Sequence, residues 1–146
     1  MLSNDRLYEV SSLNHFHAPL PWFYLLANGL LYAVLTALFL FAPRVWFANL
    51  GIELVDELGY TELKAMYIGL MGTLALFSLL GAVQERFLDP ALVLFLLSYA
   101  ALARVRALEI LVEGIFDSFT LQLLYAELAS AAAAAVALII RLKSST

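Results

Sequence analysis

Residues 92–127 read LVLFLLSYAALARVRALEILVEGIFDSFTLQLLYAE. The first apolar run is long enough to cross a bilayer yet carries Arg104, Arg106 and Glu109, and a second, beyond Glu113-Gly114, carries Glu127. Gly114 is a natural helix stop, and Asp117 or Ser118 can cap the next helix. The stretch therefore predicts an antiparallel helical hairpin with ionisable groups inside apolar segments. Such groups are costly in hydrocarbon and are functional-site candidates by default.

Outward from this hairpin, the whole chain has the same character. It has 146 residues, 64% hydrophobic and only 14% charged, whereas soluble domains have about 25% charged residues. Four apolar blocks reach the roughly 20 residues that a helix needs to cross a core about 30 Å thick. These blocks, at about 22–41, 63–83, 91–111 and 118–141, predict an all-α integral membrane protein. It is a single four-transmembrane-helix bundle over residues 1–146. The first block follows two histidines and mixed charges without a basic leader region, so it is expected to remain in the mature chain.

There is no cysteine, which removes disulfides, thiolate metal sites and thiol nucleophiles. The net charge of −4 comes without a basic block, which argues against nucleic acid as a partner. His15-x-His17 lacks a third ligand nearby in sequence, so no metal or other cofactor is expected.

Ser3-Asn4-Asp5 followed by Leu7, Val10 and Leu13 predicts a short amphipathic N-terminal segment. Within the first span, Tyr24, Asn28, Tyr32 and Thr36 recur every four residues as one polar stripe, expected to face other helices. The connection from Ala42 to Thr61 mixes Pro43, Arg44, Trp46 and Phe47 with Glu53, Asp56 and Glu57. It is too short to span and too apolar to float, and is expected to be partly interfacial or folded over the bundle. Gly69, Gly72 and Gly81 in the second span, and Ala126, Ser130 and Ala134 in the fourth, offer small-residue packing faces. Glu85-Arg86 and Asp89-Pro90 predict a tight turn before the third helix, with Pro90 in its first turn.

Glu127 lies about 13 Å into the fourth helix from Ser118, and Arg104 about 15 Å into the third from Gly114, at about 1.5 Å per residue. That matched depth predicts an Arg104–Glu127 pair. Arg106, about 200° around the helix from Arg104, is expected to pair locally with Glu109 and Glu113 as a second ion-pair face. Lys64, Tyr67 and Thr36 fall in the same half of the membrane. The predicted polar pocket is thus Arg104, Glu127, Lys64, Tyr67 and Thr36.

Glu62-x-Lys64-Ala65-x-Tyr67-x-Gly69, Ala103-Arg104, Glu113-Gly114 and Glu127, with Pro43 and Gly51-Ile52, resemble the small bacterial four-helix membrane proteins of domain-of-unknown-function family 4345. A more distant similarity is to DoxX-like proteins. The family typically has Arg and a Gly-Gly pair where this chain has Lys64 and Ile68-Gly69. The resemblance implies the four-helix fold and the polar positions, and no activity.

The leading functional expectation is a non-enzymatic binding or accessory module in a bacterial inner membrane, in contact with membrane lipids. Its pocket would take a lipid-like, quinone-like or other amphipathic molecule, and its partner would be a second copy or another membrane protein. One alternative is an enzyme on a membrane-soluble substrate with Glu127 as acid/base. Another is a small proton-coupled transporter acting as an oligomer. The basic residues tie between the two sides unless Arg104 and Arg106 lie at membrane depth, in which case both termini are expected in the cytoplasm.

Overall fold

The computed structural model describes residues 19–114 and 117–144. The expected amphipathic segment before residue 19, with His15 and His17, lies outside the described residues. Among those described, the chain forms helices and no strand: α1 (Pro19–Phe41), α2 (Pro43–Asn49), α3 (Glu57–Lys64), a π-helical turn (Ala65–Leu70), α4 (Met71–Val83), α5 (Glu85–Glu113) and α6 (Ser118–Ser144). α3, the π turn and α4 run on as one rod. Four helices are long and apolar enough to cross a membrane, namely Pro19–Phe41, Glu57–Val83, Glu85–Glu113 and Ser118–Lys143.

These helices exceed the expected spans: Pro19-Leu20-Pro21 extend the first, and mixed polar and apolar residues extend the others at 57–62, 85–90 and 142–144. Asp56 caps α3, its side chain accepting from the Gly59 N–H at 2.7 Å. The expected turn at Glu85-Arg86 and Asp89-Pro90 is instead helical. The break is a single extended residue, Gln84 (φ −127°, ψ 114°), and α5 continues through Pro90. A proline so near a helix start removes only one early hydrogen bond. Gly114 ends α5 in the left-handed conformation (φ 68°), which glycine adopts without a Cβ penalty.

α1 lies against α4, α4 against α5, α5 against α6, and α6 back against α1. The core joins Leu25 and Tyr32 of α1, Ala75 and Ala82 of α4, Leu92, Phe95 and Tyr99 of α5, and Ala137 of α6. Small residues set the spacing. Gly81 faces Ala91, Leu25 and the Phe87 backbone, whereas Gly69 faces open space. On α6 the buried face holds Glu127, Ala134 and Ala137, and Ala126 is exposed. Of the expected small-residue face, Ala134 is buried and Ser130 half-buried, its carbonyl bonded by Tyr24, while Ala126 turns outward.

The polar stripe of α1 binds helices together. The Tyr99 hydroxyl donates to Asn28 Oδ1 at 2.5 Å, Asn28 Nδ2 to the Tyr24 carbonyl at 2.9 Å, and the Tyr24 hydroxyl to the Ser130 carbonyl at 3.1 Å. Ser78 likewise donates to the Leu25 carbonyl at 2.7 Å. Buried polar groups need such partners, since an orphaned one costs more than a bond gains.

The Ala42–Thr61 connection folds back on the bundle. Phe47 of α2 is fully buried against Phe39, Tyr60 and Tyr67. Arg44 bonds Glu57 at 3.1 Å and sits over the Tyr60 ring.

Candidate functional site

α5 and α6 run antiparallel from the 114–117 connection. On α5, the buried positions Tyr99, Ala103 and Ile110 define the face turned to the bundle, and Arg106 shares it by helical spacing. Arg106 Nε donates to Glu127 Oε1 at 2.8 Å. Glu127 is only 7% exposed, and its other oxygen, Oε2, is buried without a hydrogen-bond partner among the described residues. The bond leaves from Nε. A guanidinium has five N–H donors, so both terminal nitrogens of Arg106 remain for other acceptors.

The expected Arg104–Glu127 pair is thus replaced by Arg106–Glu127. Depth alone cannot separate two arginines that differ by only about 3 Å in rise, so helical phase decides. Arg104 is one step, about 100°, past buried Ala103 and is exposed. Nor does Arg106 form the expected local pair, since no ion pair to Glu109 or Glu113 occurs among the described residues. Both glutamates are exposed.

The other pocket candidates lie elsewhere. Tyr67 packs on Phe39 and Phe47 with ring centroids 4.5 and 5.3 Å away. Lys64 stands over the Tyr60 ring at 4.9 Å. Thr36 lies on the Gly72 side of α1, its hydroxyl buried and unpartnered among the described residues. Among the described residues, no hydrogen bond or ion pair joins Lys64, Tyr67 or Thr36 to Glu127.

On the outer side of Arg106 opens a cleft of about 320 Å³, lined by Leu102, Val105, Arg106, Glu109 and Thr120. Leu102 and Val105 make apolar walls, while Arg106 and Glu109 supply a donor and an acceptor on one helical face. The lining thus combines apolar side chains with two charged ones, and its volume is at the small end of ligand sites. The cleft and the buried ion pair meet at one residue, Arg106, which lines the first and bonds Glu127 in the second.

Val105 as a lining residue, and the hydrogen bonds of Tyr99 and of the Ser130 carbonyl, were not expected from the sequence. The signal for Arg106 was there: Tyr99, Ala103, Arg106 and Ile110 recur at steps of four, three and four, the seam spacing of packed helices.

Asp117 precedes α6, where its Oδ1 accepts from the Thr120 N–H at 2.9 Å. Hydrogen bonding from the Thr120 side chain, and then from its backbone, holds this carboxyl below its ordinary range. A carboxylate depressed on folding adds stability that is complete above its unfolded pKa and is lost as pH falls through the folded value. Amide exchange at Thr120 should accordingly accelerate relative to mid-α6 amides below about pH 4. Asp117→Asn should abolish that acid dependence, and an unchanged profile in the variant would refute the assignment.

Comparison with known proteins found no matching family model, no matching curated protein and no matching solved structure.

Proposed function

We propose that this chain is a multi-pass membrane protein that binds an amphipathic small molecule in the cleft between α5 and α6. The supporting observation is Arg106, tied on its buried side to Glu127 and open to an apolar-walled cleft with its terminal nitrogens unspent. A buried ion pair by itself adds little net stability. A half-used guanidinium facing a cavity is a means of recognising a polar head while apolar walls receive a chain.

The membrane reading rests on four helices of spanning length whose outer faces are apolar, with Leu76, Leu97 and Ile139 among many exposed. We place the protein in a bacterial inner membrane, in line with its resemblance to the small four-helix family. With an even number of spans the termini share a side. Arg86, Arg141 and Lys143 lie at that end against Arg44 and Lys64 at the other, which favours cytoplasmic termini. A second copy or another membrane protein is a natural partner for exposed Arg104, whose charge at membrane depth needs a counterpart.

The test uses the purified full chain in nonionic detergent. Native mass spectrometry should show an amphiphile retained by the wild type, and re-adding it at about 100 times Kd should stabilise the protein by about 2.7 kcal/mol. Val105→Trp, which fills the cleft without touching the ion pair, should lose both signals and keep its helical circular dichroism. No retained mass and no stabilisation in the wild type, or both undiminished in Val105→Trp, would overturn the reading.

A further inference from the structure

Resting on the reading that the α5–α6 cleft holds an amphiphile, we infer that its ligand bears an ammonium head: a primary ammonium with a neighbouring oxygen on an apolar chain. The reason is the distribution of charge around the cleft. Arg106 is already matched from behind by Glu127, at 2.8 Å and almost wholly buried. What remains facing the cleft is Glu109, for which no hydrogen bond or ion pair occurs among the described residues.

The surroundings add no cation. Glu113 follows Glu109 by one helical turn, and Asp117 is bonded to Thr120, which itself lines the cleft. From Ser118 to Ile140 the facing helix has no Lys or Arg. Arg104 is about 200° around α5 from the lining residue Leu102, so it faces away. A fatty acid would therefore bring its carboxylate to a guanidinium that is half spent and to an unpaired glutamate that repels it. An ammonium has the opposite fate. It pairs with Glu109, while an adjacent hydroxyl or phosphate oxygen accepts from the terminal nitrogens of Arg106.

The apolar walls fix the rest of the molecule. Leu102 and Val105 flank the polar pair, and both are exposed at the cleft edge. A volume of about 320 Å³ is at the small end of ligand sites. It suits a head group and the first methylenes of a chain that continues along the helix surface. The same head chemistry occurs in a free long-chain amino alcohol and in an aminophospholipid of the bilayer.

The experiment measures binding of 1-amino-2-dodecanol, laurate and dodecanol to the full chain in nonionic detergent by native mass spectrometry. The amino alcohol should bind at least about tenfold tighter than laurate or dodecanol, and Glu109→Gln should remove about that factor while leaving dodecanol unchanged. Glu109 is exposed, so this variant is expected to fold. A second arm delipidates the protein in mixed phosphatidylethanolamine and phosphatidylglycerol. Selective retention of the ethanolamine lipid assigns the site to the membrane lipid, and amino alcohol binding without that selectivity assigns it to a free amine. Laurate binding more tightly than the amino alcohol, or amino alcohol binding indifferent to Glu109→Gln, overturns the inference and leaves amphiphile binding standing. Failure of all three chains to bind overturns both.

Discussion

Arg106→Ala should lower the stability of the detergent-purified protein by about 3–5 kcal/mol, the cost typical of removing one partner from a buried ion pair. Most of that loss comes from what is left behind. Glu127 is 7% exposed and its Oε2 already lacks a partner among the described residues. Without the guanidinium the carboxylate stays buried with an uncompensated charge. Glu127→Ala leaves the less buried member, since the Arg106 side chain is 32% exposed and can reach water. It should cost less than Arg106→Ala.

The double variant should be more stable than the two losses added together, by a coupling of about 0.5–3 kcal/mol. Arg104 supplies the control. It is exposed and bonded to none of these groups, so Arg104→Ala should change stability by no more than about 0.5 kcal/mol and show no coupling to Glu127→Ala. Urea or thermal unfolding of the four variants gives the answer. Coupling of Glu127 to Arg104 instead of Arg106 would mean that α5 is rotated from the phase described above.

The second large effect is at a glycine. A Cβ added to Gly81 would stand 2.7 Å from the Ala91 Cβ, 2.9 Å from Leu25 Cδ1 and 3.1 Å from the Phe87 carbonyl oxygen. Leu25 can change rotamer, but an alanine methyl cannot move and a carbonyl moves only with its helix. Gly81→Ala should therefore force α4 and α5 apart and cost about 1–3 kcal/mol, despite alanine's advantage in helix propensity. Gly69→Ala has open space and should be neutral or stabilising by up to about 1 kcal/mol. Equal stability of the two variants would show that the helices do not approach at Gly81.

These expectations mark how far residue patterns carry. Helix number and approximate position follow from apolar runs of a fixed length, because a hydrocarbon core accepts no other single-segment solution. The inward turn of Tyr24, Asn28 and Tyr32 follows from a spacing of four, because an amide in a one-residue-wide stripe needs partners on the adjoining helices. The depth of Glu127 and of the two arginines follows from counting residues to Gly114 and Ser118.

Which arginine meets Glu127 did not follow from counting. Arg104 and Arg106 differ by about 3 Å in height but by about 200° in direction, so the outcome rests on helical phase. That phase is set by where Tyr99, Ala103 and Ile110 bury against α1 and α6, a property of the assembled bundle. The cleft beside Arg106 is likewise a gap between two helices and belongs to neither alone. Likewise Lys64 and Tyr67 were drawn from the expected pocket to Tyr60, Phe39 and Phe47, because α2 folds back and buries Phe47 there. The sequence by itself determined that ionisable groups would sit at one level along two apolar helices, since length and rise are local quantities. Only the tertiary structure decided that Arg106 joins them to an open cleft, since facing and vacancy depend on how the helices rotate and pack against one another.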